Sequence, residues 1–599
     1  MILSIIDYFY LGSELHQCLS TTAITRLHPA WSDHSILQST YTLGASKFGP
    51  GLWRANPAYA SHQPLQQKLE KGIKKLLKRT DPDRSPQQQW EEVKILTAKI
   101  IRSYSIDYVE LRSQTIKTLE KKRNRILRTK PSPAIRLQLI PPIDLQLQTL
   151  QKELAEVAIL KSGIHWQENG EKNITYLKGI HKKRTLQQYI TGFQDPTAAD
   201  ITTIHSEPTL MRNIVNKFYQ QLYTAYPVRI QCIRDYLGIV NFDHEISEAE
   251  GQKLQQKVDF DYIIYKAKRC PKQSSPGSHG VGLIWQVYDD ALWNLTELKN
   301  WRPIALINCD AKIFARLLTR RLAPLIAKLI NPSQKGFIKG RFIGENGMYV
   351  HLILQQLRHD HHPGLGLLLD QEKAYDRVLP EYLLEVLRMM KFPESIIHCI
   401  HQWFFNNSVP INVNGFFTDT VNQERGLRQG NPLSSLLFNI ALEPLLLSIQ
   451  QDQQYQGYLP SDGTDSQRIR CIVYADDICA FVKDVADFDR LQFHLAQYNT
   501  VFNSKFNKDK TEAFSLDGCK SQSWSALLQS NHITTYHHKH SPSAFRYLGY
   551  YLPYTIMQRN SIQNMLLEKL KSQFQIYSQP QLSLRAFLVV MLYQIGVPP

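Results

Sequence analysis

The 599-residue chain contains no C-x-x-C pair; its eight cysteines are scattered at positions 18, 232, 270, 309, 399, 471, 479 and 519. That spacing excludes a recognisable zinc knuckle and offers no disulfide framework, so a reducing intracellular compartment is expected. Long apolar runs are missing as well. Met1–Tyr10 is apolar, but Asp7 interrupts it and no basic residue precedes it. The segment is too short for a membrane span and has the wrong flanks for a signal peptide, so no membrane partner is expected. There is no internal repeat and no low-complexity tract, and 43% hydrophobic with 21% charged residues excludes wholesale disorder. Acid is in short supply: 53 Asp and Glu stand against 70 Lys and Arg, a net charge of +17. A surplus of that sign suits long contact with a polyanion, because Lys and Arg on nucleic acid release condensed counterions.

What is present falls into four zones, with a length sufficient for several cores. Residues 1–60 mix short apolar runs with turn residues such as Gly49–Trp53 and read as the tail of a globular domain. Residues 61–265 are basic and mostly helical. Lys71–Arg79 and Ile116–Arg128 both set apolar residues at three- or four-residue spacing among cations. Seven Lys and Arg lie between Lys117 and Lys130 against the single acid Glu120, and by itself such a run reads as a solvated helix face. Pro131, Pro133 and the pair Pro141-Pro142 are expected to punctuate this zone. Residues 270–552 alternate buried strands with amphipathic helices, and residues 553–599 follow without an obvious closing domain.

The third zone carries the chemistry. In Arg470–Val482 two apolar, β-prone runs flank Ala475-Asp476-Asp477, which predicts a hairpin with the acids at its tip. Adjacent acids in an apolar setting repel by roughly 4 kcal/mol at about 4 Å and an effective dielectric of 20, so a proton or a cation must relieve them. Leu365–Leu369 is a second buried-strand run, ending in Asp370. Pro380 then opens an expected helix to Met390 whose Leu383, Val386, Leu387 and Met390 form one apolar face. If the two strands are neighbours, Asp370, Asp476 and Asp477 meet. Oxygen ligands of this kind call for Mg²⁺ or Mn²⁺, and two such ions would clamp an in-line phosphoryl displacement.

At these residues the chain resembles the reverse transcriptases of LINE-type, non-long-terminal-repeat retrotransposons. Tyr474–Asp477 is similar to the family's palm hairpin, Leu369–Arg377 to its first palm motif, and Arg425–Ser434 to the motif before the long palm helix. Asn300–Asn308 and Gln334–Arg341 resemble finger motifs, and Phe506–Glu512 with Tyr547–Gly549 complete the series in order. The resemblance implies an α+β right-hand polymerase, with fingers, an antiparallel palm sheet backed by helices, and a partial thumb, preceded by the basic helical linker. It implies RNA-directed DNA polymerisation on an RNA template and DNA primer with deoxynucleotides and two Mg²⁺ or Mn²⁺ ions, in the nucleus. Asp370 and Asp476 would be the main metal ligands, with the Gln371 carbonyl and Asp477 supporting. Tyr375 would be the steric gate against a 2′-hydroxyl. Gln429 and Gly430 would floor the nucleotide site, Arg302 would hold the triphosphate, and Lys510 would protonate the departing pyrophosphate. Arg341 would meet the template backbone, as would the run containing Lys121, Lys122, Arg123 and Arg125. Oligomeric state is not implied.

The pattern also breaks. Trp166–Asn173 resembles a segment that precedes the polymerase in such elements, and Ser32, Asp33 and His34 with Pro50–Pro57 resemble the end of a DNase I-like endonuclease domain. The metal-binding Glu of that domain has no counterpart, so nicking is not expected. His279 stands where the family has an aspartate, and Leu283–Asn294 runs directly into Leu295–Arg302 where a finger strand with a Pro-Lys pair is expected. Two other readings share these residues: a relic that binds RNA without catalysis, and an RNA-templated RNA polymerase or intron-type maturase.

Overall fold

The computed structural model describes residues 16–26, 35–41, 55, 57–79, 86–129, 132–162, 190–198, 200, 202–268, 282–287, 296–298, 301–307, 309–359, 363–459 and 468–577. The chain divides into two compact units, Met1–Tyr189 and Ile190–Pro599, so the division falls inside the basic helical zone.

Among its described residues, the first unit has an antiparallel hairpin, β1 (Leu19–Arg26) with β2 (Ser35–Tyr41), a 3-10 turn (Pro57–Ser61) and the helices α1 (Gln63–Leu77), α2 (Pro86–Arg128) and α3 (Pro133–Ser162). Pro133 starts α3, but Pro141-Pro142, expected to punctuate the zone, lies inside the helix. Ile140, Ile143 and Leu147 are buried at helical spacing while both prolines are exposed. On that side, water can hydrate the carbonyls that lose their N–H donors. Tyr59, Leu65 and Tyr104 form a small core where α1 meets α2.

The second unit opens with β3 (Phe193–Gln194) and β4 (Ile204–His205), then α4 (Pro208–Tyr223), α5 (Ile230–Gly238), α6 (Glu248–Gln255) and α7 (Phe260–Lys268). Next, β5 (Gly282–Val287) pairs antiparallel with β6 (Trp301–Leu306), followed by α8 (Cys309–Leu329) and α9 (Ile343–His359). After β7 (Leu365–Leu369) come a 3-10 turn (Ala374–Arg377), α10 (Pro380–Met389) and α11 (Glu394–Phe404). Two short ladders follow, made by β8 (Asn407–Val409), β9 (Asn412–Val413), β10 (Phe416–Phe417) and β11 (Val421–Gln423). The chain continues through α12 (Ser434–Gln451), β12 (Cys471–Tyr474), β13 (Asp477–Val482), α13 (Val485–Phe502), β14 (Glu512–Ser515) and α14 (Gln522–Ser530). The last described elements are β15 (Thr535–His537), β16 (Phe545–Tyr547), β17 (Tyr550–Leu552) and α15 (Ile556–Tyr577).

Five of these strands form the central sheet in the order β12-β13-β7-β14-β15. All pairs are antiparallel, as expected, except β14 with β15, which is parallel. β7 is almost wholly apolar because both faces of the sheet are covered. On one side Leu367, Leu369 and Val473 join a core with Leu383 and Val386 of α10, Leu437 and Ile440 of α12, and Leu491 of α13. On the other, Phe481, Phe514 and Phe545 pack with Leu354 of α9. Gly366 lies across from Phe514, and a Cβ there would stand 2.0 Å from the phenyl ring, so this strand position admits only glycine. The α10 face predicted from sequence is buried throughout, at about 1.5–3 kcal/mol for each large side chain removed from water. A third core, with Phe193, Tyr219, Trp301, Ala305 and Val421, joins α4 and β6.

Candidate active site

Asp370 is the residue immediately after β7, and Asp477 is the first of β13. The ladder between these strands runs to Ile478↔Leu369, and one further step brings Asp477 across from Asp370. Residues opposed in this way hold their Cβ atoms about 5 Å apart. Asp476 precedes Asp477 in the turn, and the pair Tyr474↔Asp477 closes the hairpin. Asp370 and Asp476 are half-buried and Asp477 is exposed. Among the described residues, no three His, Cys, Asp or Glu side chains converge as a ready-made metal cage. The expected gathering of three acids is thus met by neighbouring backbone positions, not by converging carboxylates.

The backbone supplies a further oxygen. The Asn507 amide donates to the Asp370 carbonyl at 2.8 Å, and the Glu372 amide donates to the Lys505 carbonyl at 2.7 Å. In a trans peptide the C=O opposes the N–H, so the Gln371 carbonyl points away from Lys505. Because β7 lies between β13 and β14, that direction is toward the hairpin. All donors at the site are oxygens, a set that fits Mg²⁺ or Mn²⁺.

Beyond Gln371 the chain turns sharply. Lys373 has φ 48°, and its buried ammonium donates to the Trp301 carbonyl at 2.9 Å, which fastens β6 to this turn. Tyr375 follows in the 3-10 turn and stacks on Phe438 of α12, with centroids 4.6 Å apart and planes at 15°. The loop before α12 closes around it. The Leu427 amide donates to the Tyr375 carbonyl at 2.7 Å, and the Ala305 amide of β6 donates to the Gln429 carbonyl at 2.8 Å. Gly430 has φ 93°, and a Cβ there would meet the Ala305 carbonyl oxygen at 2.9 Å. Conformation and close approach both require glycine. Lys510 is exposed in the turn after Asn507, the residue bonded to Asp370.

Residues 290–552 match the reverse transcriptase (RNA-dependent DNA polymerase) family, a stretch that contains every one of these residues and ends with β17. This stretch is a reverse transcriptase domain. Over 548 residues the chain is 24% identical to the transposon TX1 uncharacterized 149 kDa protein of Xenopus laevis, covering 84% of this chain and 40% of that protein. It is 22% identical over 325 residues to the Pol polyprotein from the type-2 retrotransposable element R2DM of Drosophila melanogaster, covering 48% of this chain and 29% of that protein. A type-1 R2 Pol polyprotein of Popillia japonica is 27% identical over 188 residues, covering 31% of this chain and 25% of that one. The chain therefore spans less than half the length of these relatives.

Two cations expected on nucleic acid also make bonds within the chain. The Arg341 guanidinium of the reverse transcriptase domain donates to four carbonyls, those of Asn331 and Gln334 at 2.6 Å, Ile330 at 2.8 Å and Ala327 at 3.0 Å. It satisfies carbonyls left unpaired at the end of α8 and braces the turn that follows. Arg123 points inward, only 7% exposed, with its Nε 2.5 Å from Asp144 of α3, whereas Lys121, Lys122 and Arg125 are exposed. Arg302 lies in β6, but its side chain is outside the described residues, as are Ser32, Asp33, His34, His279 and Trp166–Asn173. Before α8, β5 pairs with β6 in register from Gly282↔Leu306 to Val287↔Trp301.

One residue escaped sequence reasoning. Gln334, fully buried, holds the hairpin turn: its Nε2 donates to the Ala475 carbonyl at 3.1 Å, and its Oε1 accepts from the amides of Ala475 at 2.7 Å and Gly336 at 2.8 Å. Ala475 needs holding, because its φ of 54° is unfavourable for a residue with a Cβ. The signal available was Gln334 itself, a polar residue opening the Gln334–Arg341 motif. Among the described residues, no helix is long and apolar enough to cross a membrane.

Proposed function

We propose that this chain copies RNA into DNA for a non-long-terminal-repeat retrotransposon. The primer 3′-hydroxyl attacks the α-phosphate of a deoxynucleotide, and pyrophosphate leaves. The observation that carries this reading is the register that sets Asp370 across from Asp477, with Asp476 in the adjoining turn. Asp370 and Asp476, with the Gln371 carbonyl and Asp477, would hold two Mg²⁺ or Mn²⁺ ions. Bound there, the ions would neutralise charge on the attacking and leaving oxygens.

The chain's own residues supply the rest. Tyr375, braced on Phe438, presents a wall against the 2′-hydroxyl of a ribonucleotide. Gln429 and Gly430 form the floor, with backbone close to β6. Arg302 orients the triphosphate through its planar guanidinium. Lys510, on the turn bonded to Asp370, donates the proton that pyrophosphate takes on departure. The exposed Lys121, Lys122 and Arg125 track the RNA backbone. A nicked chromosomal strand would supply the primer, which makes the nucleus the place of action.

The test is primer extension on an RNA template with deoxynucleotides and Mg²⁺, comparing the full chain with Asp476→Ala. Extension by the parent and at least a roughly 10³-fold loss in the variant is the expected result, since removal of a charge-stabilising group alone costs about 10²–10³. Inactivity of both, with folding and RNA retention confirmed, points instead to RNA binding without catalysis.

A further inference from the structure

Helix α4 lies outside residues 290–552, yet its last residue is tied to the turn that carries Tyr375. The Tyr223 hydroxyl donates to Asp376 Oδ1 at 3.3 Å, with both residues buried at 4% and 3% exposure. Asp376 directly follows Tyr375 in the 3-10 turn. Burial, and then the Asp376 carboxylate, hold the Tyr223 hydroxyl well above its ordinary pKa, so it remains a donor. A second tie runs through backbone. The Glu424 amide donates to the Tyr223 carbonyl at 3.1 Å, and Arg425 Nε donates to the Leu222 carbonyl at 2.8 Å. The same loop then reaches the Tyr375 carbonyl through the Leu427 amide. Gly426 allows the approach: it has φ 94°, and a Cβ there would meet the Asp376 carbonyl oxygen at 2.7 Å.

We infer that Tyr223 is a positioning residue for sugar discrimination, holding the turn through Asp376 so that Tyr375 excludes the 2′-hydroxyl. This rests on the reading of Tyr375 as the gate. A steric gate rejects its target only as firmly as the wall resists displacement. The Tyr375 ring is backed by Phe438, but its height is set by the turn that bears it. Loss of one hydroxyl at Tyr223 withdraws a donor from a buried carboxylate, and the turn can then shift to recover the lost hydrogen bond.

The experiment measures deoxynucleotide and ribonucleotide incorporation by the full chain, Tyr223→Phe, Tyr375→Ala and the double variant on one RNA template with a DNA primer. Tyr223→Phe is expected to cut the deoxy-over-ribo preference about tenfold, with deoxynucleotide turnover within about threefold of the parent. The double variant should show the preference of Tyr375→Ala alone, because Tyr223 acts through that ring. If Tyr375→Ala relaxes the preference and Tyr223→Phe does not, the inference fails while the gate stands. Equal losses with both sugars, or additive losses in the double variant, mean that Tyr223 is only structural and also overturn it. If Tyr375→Ala leaves the preference intact, the gate reading itself fails, and a parent that extends with neither sugar overturns both.

Discussion

The side-chain amide of Gln334 spans the backbone of Ala475, donating to its carbonyl at 3.1 Å and accepting from its amide at 2.7 Å. A buried side chain thereby fixes the φ-positive turn on which Asp476 sits. Gln334→Ala would strand the amides of Ala475 and Gly336 and loosen the hairpin tip. A displacement near 1 Å at reacting groups costs about 10²-fold in rate, so kcat should fall by about that factor with the nucleotide KM little changed. Steady-state extension kinetics give both values. An unchanged kcat would show that the hairpin holds its own turn.

Lys510 stands exposed, three residues after the amide that bonds Asp370. As proton donor to pyrophosphate, its removal in Lys510→Ala should slow single-nucleotide addition by about 10²-fold. Lys510→Arg should not restore the rate, because guanidinium keeps its proton at any working pH. Rapid-quench measurement across pH decides the matter. Full recovery with arginine would reduce the lysine to a counter-charge.

Arg341 braces four carbonyls, and burial lowers its pKa from the ordinary arginine value. Arg341→Ala should cost about 2–3 kcal/mol of stability by leaving those oxygens unpaired, lowering Tm by several degrees. RNA affinity at fixed salt should stay within about twofold, since no phosphate contact is lost. Thermal denaturation and filter binding, run on the same preparation, separate the two roles. A weaker complex with an unshifted Tm would return Arg341 to the template.

Glu443 of α12 is fully buried, with Oε1 accepting from the Asn331 amide at 2.9 Å and no hydrogen-bond partner for Oε2 among the described residues. Burial pushes its carboxyl up to about 8, against the opposing pull of Arg341, and Asp243 adds to the rise. Below about pH 4.5 the group is protonated whether the chain is folded or not. As pH rises from there to about 8, only the unfolded chain gives up the proton, so stability is progressively lost. Glu443→Gln removes that dependence. Relative to the parent, the variant should gain on the order of a few kcal/mol between pH 5 and pH 8, read from denaturant melts. Parallel stability curves over this range would show that the native carboxylate is already ionised.

The strand ending in Asp370, the hairpin carrying Asp476 and Asp477, and the apolar face of α10 were all legible in the sequence. Each is a local pattern: a buried β-prone run that stops at an acid, two such runs around a tight turn, and a helical spacing opened by proline. The partners of cations were not legible. Arg123 and Lys122 are adjacent and chemically alike, yet one is buried on Asp144 and the other is exposed. Arg341 belongs to a motif that reads as a nucleic-acid contact, but its guanidinium meets carbonyls up to 14 positions away. Pro141-Pro142 reads as a break, whereas the apolar spacing of Ile140, Ile143 and Leu147 carries α3 past it.

By itself, then, the sequence determined the elements, the order of the motifs and the identity of the acids, because period, β-propensity and turn chemistry act over a few residues. The tertiary structure decided the register that sets Asp370 across from Asp477, 107 positions later. It also decided the clamp of Gln334 on Ala475 and the tie from Tyr223 to Asp376. Contacts between residues so far apart depend on how sheets and helices pack, and no local pattern encodes which buried polar group will find which partner.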